Sequence, residues 1–419
     1  MFKKADVIIE LPGENGRSVV LNESALSKHL LLIGRPGCGK STQIIKMIRQ
    51  IQEQMNHNED KIVVFDPKGE FYSALGKGSG KEIVIGGNAE SNYWNIFLEL
   101  KLLGESERPS RAKAIAYGII PDSAMGENKV FLEAARECLV GVILQLLSET
   151  DYSREAPSNQ TLYDKICMAQ SPEEIYEVVQ NKKFKHLVSS LGEHTPERTR
   201  QNTFFVLRPA LSRILLGDFS RPGNFSTYTF INTGGGETLF LEYDYAESES
   251  YGPVYALLID LLIKEATSLK RKQKGKIYLI LDEFASLPKV KEIINGLNTG
   301  RGCGLRIIAG FQGTESTLMD SSGHFDINLL ASKKFGTNFI FNLNQLDLES
   351  KRRISESSGK SSEARWIENP DGTYGSVQAN VIEPNDLDSL RTGEAFIKQA
   401  EDGRSNGRTY PYYRFLFKK

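Results

Sequence analysis

The sequence predicts an α/β fold: a mostly parallel sheet with helices on both faces, interrupted by an all-helical insertion. Three observations predict it. A segment over 27–33 that reads as a buried strand, apolar from Leu30, feeds a glycine-rich loop, and that loop opens into a helical pattern from Lys40 to about Gln54. The runs Lys61-Ile-Val-Val-Phe-Asp66, Glu82-Ile-Val-Ile85 and Lys276-Ile-Tyr-Leu-Ile-Leu281 are continuously apolar inside their charged end residues, the character of strands covered on both faces. Between about Glu105 and Phe225 helical periods dominate, with Pro and Gly at the joints.

Taken in order, short strands over 6–11 and 17–22 flank a Gly-Glu-Asn-Gly turn, and the buried strand over 27–33 follows. Helices are expected over 128–148 and 172–180 inside the insertion. Strand patterns resume at 238–243, a long helix covers about 251–270, and strands follow at 276–281, 305–310 and 338–342. A hairpin around Asn369-Pro-Asp-Gly372 and a last strand near 394–399 are expected to complete one sheet. The α/β core is therefore expected over 1–104 and 226–419, with the all-α domain inserted at 105–225.

A chain of 419 residues can bury such a core with room for the insertion. With 52 Lys+Arg against 53 Asp+Glu, the net charge of −1 creates no global field, so a polyanion has to be held by local clusters or a pore lining. The four cysteines, Cys38, Cys138, Cys167 and Cys303, form no CxxC pair and read as reduced cytosolic thiols. No apolar run reaches the roughly 18 residues a membrane span needs, and the first residues hold no apolar signal-peptide core. A cytoplasmic chain is expected.

The loop carries the chemistry. Gly34-Arg35-Pro36-Gly37-Cys38-Gly39-Lys40-Ser41 fits G-x-x-x-x-G-K-[ST] in a strand-loop-helix setting, where backbone N–H groups wrap phosphate oxygens at a helix N-terminus. Lys40 is expected to reach the β and γ phosphates, the Ser41 hydroxyl to ligate Mg²⁺, and Thr42 to touch the α phosphate. Such a site needs a carboxylate at the end of a neighbouring buried strand, and Asp282 supplies it. The adjacent Glu283 is placed to deprotonate the attacking water, which favours hydrolysis of ATP or GTP over phosphoryl transfer to another substrate.

Gln312, after the next strand, offers an amide to the lytic water or the γ phosphate. Arg301 stands in Thr299-Gly-Arg-Gly-Cys-Gly304, read as a glycine-rich loop; its spacing admits either a finger into a neighbouring subunit or a solvated arginine. Asp66-Pro-Lys-Gly-Glu70 follows a buried strand, and either shapes the pocket or forms a tight turn with two solvated charges.

The ordered set GRPGCGKST, VVFDPKGEF, NYWNIF, FLEAARECL, LILDEFASLPKV, GRGCGLRIIAGFQ and SESSGKSS resembles the coupling proteins of type IV secretion, the TraG/TraD-like DNA-transfer ATPases of conjugation. The resemblance runs from about Leu30 to Phe415. It implies a RecA-like core with an all-α domain facing incoming substrate, ATP and Mg²⁺ as cofactors, and a homo-hexameric ring. It further implies ATP-driven passage of single-stranded DNA bound to a relaxase, with secretion-channel partners at the inner membrane. Under it Arg301 becomes an arginine finger acting in trans and Gln312 the motif glutamine. Most members carry transmembrane helices ahead of the core, so an anchor removed or separately supplied is expected here, with isolated subunits monomeric. Two other readings stay open: a DNA pump of the HerA/FtsK kind outside conjugation, and a nucleotide-switched adaptor recruiting protein substrates.

Weaker features take bland readings. The run Lys270-Arg-Lys-Gln-Lys-Gly-Lys276 reads as a solvated helix end, and Lys182, Lys183, Lys185, Arg198, Arg200, Arg208 and Arg213 as a solvated basic face. The five histidines show no metal-ligand spacing. Trp94 reads as a core cap, and Trp366 lies in the expected hairpin.

Overall fold

A computed structural model describes residues 7–76, 81–86, 92–122, 129–150, 157–215, 217–242, 248–268, 275–283, 287, 290–311, 334–346, 348–368, 374–399 and 412–418. The chain divides into two compact units. Met1–Glu82, Gly235–Phe240 and Ala266–Lys419 make the first; Ile83–Gly234 and Leu241–Glu265 make the second. The strands among the described residues are β1 (Ile9–Pro12), β2 (Ser18–Leu21), β3 (Leu30–Ile33), β4 (Lys61–Phe65), β5 (Glu82–Ile85), β6 (Thr238–Leu241), β7 (Ile277–Leu281), β8 (Leu305–Phe311), β9 (Thr337–Ile340), β10 (Lys360–Glu368), β11 (Tyr374–Asn380), β12 (Glu394–Lys398) and β13 (Tyr413–Leu416).

In the first unit the main sheet runs β13-β12-β9-β3-β8-β7-β4-β6. β3 pairs in parallel with β8 and β9, and β7 in parallel with β8 and β4. At the far end β12 turns antiparallel to both β9 and β13. Every residue of β3, β4, β7 and β8 is buried, which accounts for their largely apolar sequences. Two cations within these strands are neutralised in place: Lys61 by Glu237 at 2.6 Å and Arg306 by Glu23 at 2.6 Å. The helix Lys40–Gln54 buries Ile44, Met47, Ile48 and Ile51, the i, i+3, i+4, i+7 stripe of a helix packed on one face. Each such side chain contributes on the order of 2 kcal/mol, so a charge at Ile48 would lift the helix off.

Two expectations are corrected. The strand expected over 27–33 begins only at Leu30: Asn22 accepts a hydrogen bond from Ala25 N at 3.0 Å, capping a short helix Glu23–Leu26, and His29 turns left-handed at φ 63°. The expected turn at 369–372 lies outside the described residues, and the antiparallel strands on either side of it, β10 and β11, form their own two-stranded sheet, as do β1 and β2, so these elements do not complete a single one.

The second unit is helical from Leu98–Lys101 to Thr227–Asn232 among the described residues. Its central helix, Lys129–Ser148, buries Ala135 and Arg136 and everything from Cys138 to Leu147, and Glu197–Ile214 buries Phe204, Leu207, Leu211 and Ile214. Helix starts are fixed by Ser158, Ser171 and Ser226, each accepting a hydrogen bond from a backbone N–H three residues on. Among the described residues, no helix is long and apolar enough to cross a membrane.

Candidate functional site

The parallel order β3-β8-β7-β4 brings four strand ends, Ile33, Phe311, Leu281 and Phe65, to one edge of the sheet. The loop after β3 depends on its glycines: Gly37 and Gly39 are left-handed, at φ 73° and 100°. Gly39 offers no side-chain cap to the helix that follows, leaving its first N–H groups for an anion. The loop is braced from the far side of the sheet, where Gly393 N donates to Cys38 O at 2.8 Å and Arg35 N donates to Asn342 O at 3.0 Å.

Asp282, at the end of β7, reaches the start of that helix. The Ser41 hydroxyl donates to Asp282 Oδ2 at 2.9 Å, and Lys40 Nζ lies 2.9 Å from Asp282 Oδ1. Lys40 and Asp282 are 4 % and 5 % exposed. The Lys40 ammonium forms this ion pair without the angles of a hydrogen bond, and Arg35 Nε is likewise buried without an acceptor. Buried donors left this way destabilise a fold unless an acceptor arrives, and phosphate oxygens would satisfy both. The donor set thus fits a nucleoside triphosphate, with Ser41 and Asp282 offering the oxygen ligands that Mg²⁺ takes. Thr42 is exposed on the first turn, and the Cys38 thiol is buried, with burial raising its pKa and keeping it protonated.

β8 leaves room for this carboxylate. A Cβ on Gly310 would lie 2.2 Å from Asp282 Oδ1. Sequence reasoning missed Gly310, although a glycine inside a fully apolar strand is the mark of a close approach.

Glu283 adopts φ 54°, unusual for a residue other than glycine, and its carboxylate is held by the Lys68 ammonium. Lys68 was not singled out from sequence. Of the segment Asp66–Glu70, Asp66 is 1 % exposed, its Oδ2 accepts from Tyr72 N at 2.9 Å, and its Oδ1 has no partner. Burial pushes the Asp66 carboxyl up to about 6. Glu70 is exposed at the start of the helix Glu70–Leu75. Lys68 is therefore more than a solvated charge, because it pairs with Glu283, just past the end of β7.

Arg301 is exposed, but it lies in the last turn of the helix Ile293–Cys303, not in a loop. The glycines serve packing and termination: a Cβ on Gly300 would come within 3.0 Å of Leu305, and Gly304 ends the helix left-handed at φ 89°. Gln312 lies outside the described residues, immediately after the last residue of β8.

Elsewhere, Trp94 is fully buried and donates from Nε1 to Glu99 at 2.9 Å, while the Trp366 side chain lies outside the described residues, as do 270–274 of the basic run. Lys276 pairs with Glu23 at 2.8 Å. In the helical unit Lys183 pairs with Glu105 at 3.6 Å, Arg200 with Glu173 and Glu197, and Arg208 donates to Cys167 O at 2.7 Å.

A glycine loop at a helix N-terminus, facing a carboxylate on a nearby parallel strand, defines a P-loop nucleotide-binding core. The family model of the type IV secretion-system coupling protein DNA-binding domain matches residues 17–383, and the chain belongs to that family. Among solved structures, the unbound bacterial conjugative coupling protein TrwBdeltaN70 aligns over 100% of this chain and 89% of its own at 19% identity, with a TM-score of 0.75. TrwB in complex with ADP and Mg²⁺ aligns over the same shares at 19% identity and TM-score 0.73. VirB4 of Thermoanaerobacter pseudethanolicus is more distant, at 10% identity and TM-score 0.56 over 100% of this chain and 98% of its own. The fold is the TrwB-like one, a RecA-like P-loop core with an all-α domain. No curated protein sequence matches the chain.

Proposed function

We propose that this chain is an ATP-hydrolysing motor that drives DNA, single-stranded and relaxase-linked, through a type IV secretion channel. One observation carries it: Asp282 meets Ser41, 241 residues away in sequence, and its neighbour Lys40, each at 2.9 Å, at a glycine cradle. Residues 34–42 would hold the triphosphate, Lys40 its terminal phosphates, and Ser41 with Asp282 the Mg²⁺, which supplies positive charge to the phosphate oxygens. Glu283 takes the proton as water attacks the γ phosphorus, yielding ADP and phosphate. Family membership and the TrwB complexes with ADP and with triphosphate analogues support this chemistry.

Arg301 is exposed at a helix end, which suits a guanidinium offered in trans to the next subunit of a homo-hexamer; Gln312 reports the γ phosphate. The all-α domain, 105–225, receives relaxase or another secreted substrate, and 1–104 with 226–419 form the motor. The assembly works at the cytoplasmic face of the inner membrane beside channel components. ATPase assays of wild type and Glu283→Gln, with and without single-stranded DNA, test the reading. Loss of turnover in the variant and stimulation of the wild type are expected. Equal turnover in the two proteins would overturn the assignment of the base, and slow DNA-independent turnover the motor itself.

A further inference from the structure

The contact between Lys68 and Glu283 belongs to neither the phosphate cradle nor the metal ligands. β4 and β7 are parallel neighbours with Phe65 opposite Leu281, so the residues just past each strand end, Lys68 and Glu283, lie side by side. Their side chains differ in access: that of Glu283 is 13 % exposed, that of Lys68 44 %. The ammonium is thus the partner that a ligand from solution can reach.

Lys68 is held on an ordered turn. Gly69 N donates to Asp66 O at 3.1 Å, Gly69 is left-handed at φ 65°, and the buried Asp66 carboxylate ties down Tyr72 N. Glu283 is fixed from its own side by its left-handed backbone and by its N–H donating to Asp282 Oδ1 at 3.1 Å. Burial works against the Lys68 charge, but the carboxylates of Glu283, Glu70 and Asp282 outweigh it and raise its pKa above the ordinary lysine value. A carboxylate oxygen that accepts from an ammonium is occupied and turned away from a water's proton.

We propose that Lys68 is a positioning residue for Glu283: its ammonium holds the carboxylate, and a phosphate oxygen that draws the ammonium away frees it. This inference rests on the reading of Glu283 as the base. The phosphate has two possible sources, the terminal group of the nucleotide or the backbone of DNA, and both offer the same anionic oxygens.

The test measures kcat and KM for ATP in wild type, Lys68→Ala, Lys68→Arg and Glu283→Gln, without DNA and with a single-stranded oligonucleotide. Lys68→Ala is expected to raise the DNA-free kcat about three- to tenfold with KM within about twofold, the size expected for release of one ion pair. Lys68→Arg, which keeps the charge, is expected to stay at the wild-type rate, and a lost structural contact would not give that pattern. If the oligonucleotide stimulates wild type but not Lys68→Ala, the releasing phosphate is DNA's; if it stimulates both equally, the releasing phosphate is the nucleotide's. A DNA-free kcat in Lys68→Ala at or below wild type, or Lys68→Arg behaving like Lys68→Ala, overturns the inference while leaving the motor reading intact. Wild-type turnover in Glu283→Gln would instead remove the base on which it rests.

Discussion

The Ser41 hydroxyl donates to Asp282 Oδ2 at 2.9 Å across a sequence separation of 241 residues. Only the adjacency of β3 and β7 to their common neighbour β8 brings the two together. Asp282→Asn keeps the shape but removes a charge, leaving Lys40 buried without its counter-ion. Nucleotide affinity in the presence of Mg²⁺ is expected to fall about tenfold or more, measured by titration with a fluorescent ATP analogue, and to fall much less when Mg²⁺ is chelated.

Gly310 tests the same carboxylate from β8. Gly310→Ala places a methyl 2.2 Å from Asp282 Oδ1, so the carboxylate must rotate away from Ser41. Turnover is expected to drop at least roughly tenfold for a stability loss of about 1–3 kcal/mol, the range of core overpacking. Wild-type kinetics in this variant would show that the carboxylate needs no fixed place.

Asp66 and His29 set opposing pH dependences. Asp66 titrates near 6 when folded and near 3.8 unfolded, so the native state binds more protons in between and loses stability as pH rises through that window. His29 is lowered from 6.5 to about 4, by burial first and the Arg306 charge second, so its contribution is present above 6.5 and lost as pH falls toward 4. Asp66→Asn removes only the first slope. Its melting temperature relative to wild type is expected to climb between pH 4 and 6, by an amount corresponding to on the order of 2 kcal/mol. A constant difference across that range would mean that Asp66 is ionised throughout.

In the helical unit, Glu99 is fully buried and accepts hydrogen bonds from Trp94 Nε1, Thr227 N, Thr227 Oγ1 and Tyr228 N, at 2.9, 2.6, 2.8 and 3.1 Å. Glu99→Ala strands all four donors. Denaturant unfolding is expected to show a loss of about 3–5 kcal/mol. A loss below about 1 kcal/mol would mean that water reaches these groups.

On the proposed role of Arg301 in trans, Arg301→Ala is expected to lower kcat by about a hundredfold or more while nucleotide binding stays near wild type, because such a guanidinium meets charge that develops in the transition state. Mixing the variant with wild type should then depress turnover by more than simple dilution.

The loop 34–42, the apolar stretch Leu30–Ile33 that feeds it, Asp282 with Glu283, and the helical texture of the insertion were legible in the chain alone. Each is local: glycine placement, continuous apolar runs and helical periods depend on neighbours a few residues away. What tertiary structure decided is which strand ends stand together. The same segment Asp66–Glu70 reads alike whether Lys68 points to water or to Glu283, and the parallel pairing of β4 with β7 makes the choice. Gly310 and the helical setting of Arg301 were hidden for the same reason, since a glycine reports that something lies close without saying what. Side-chain partners across a sheet are fixed by strand order, and strand order is written in no short stretch of chain.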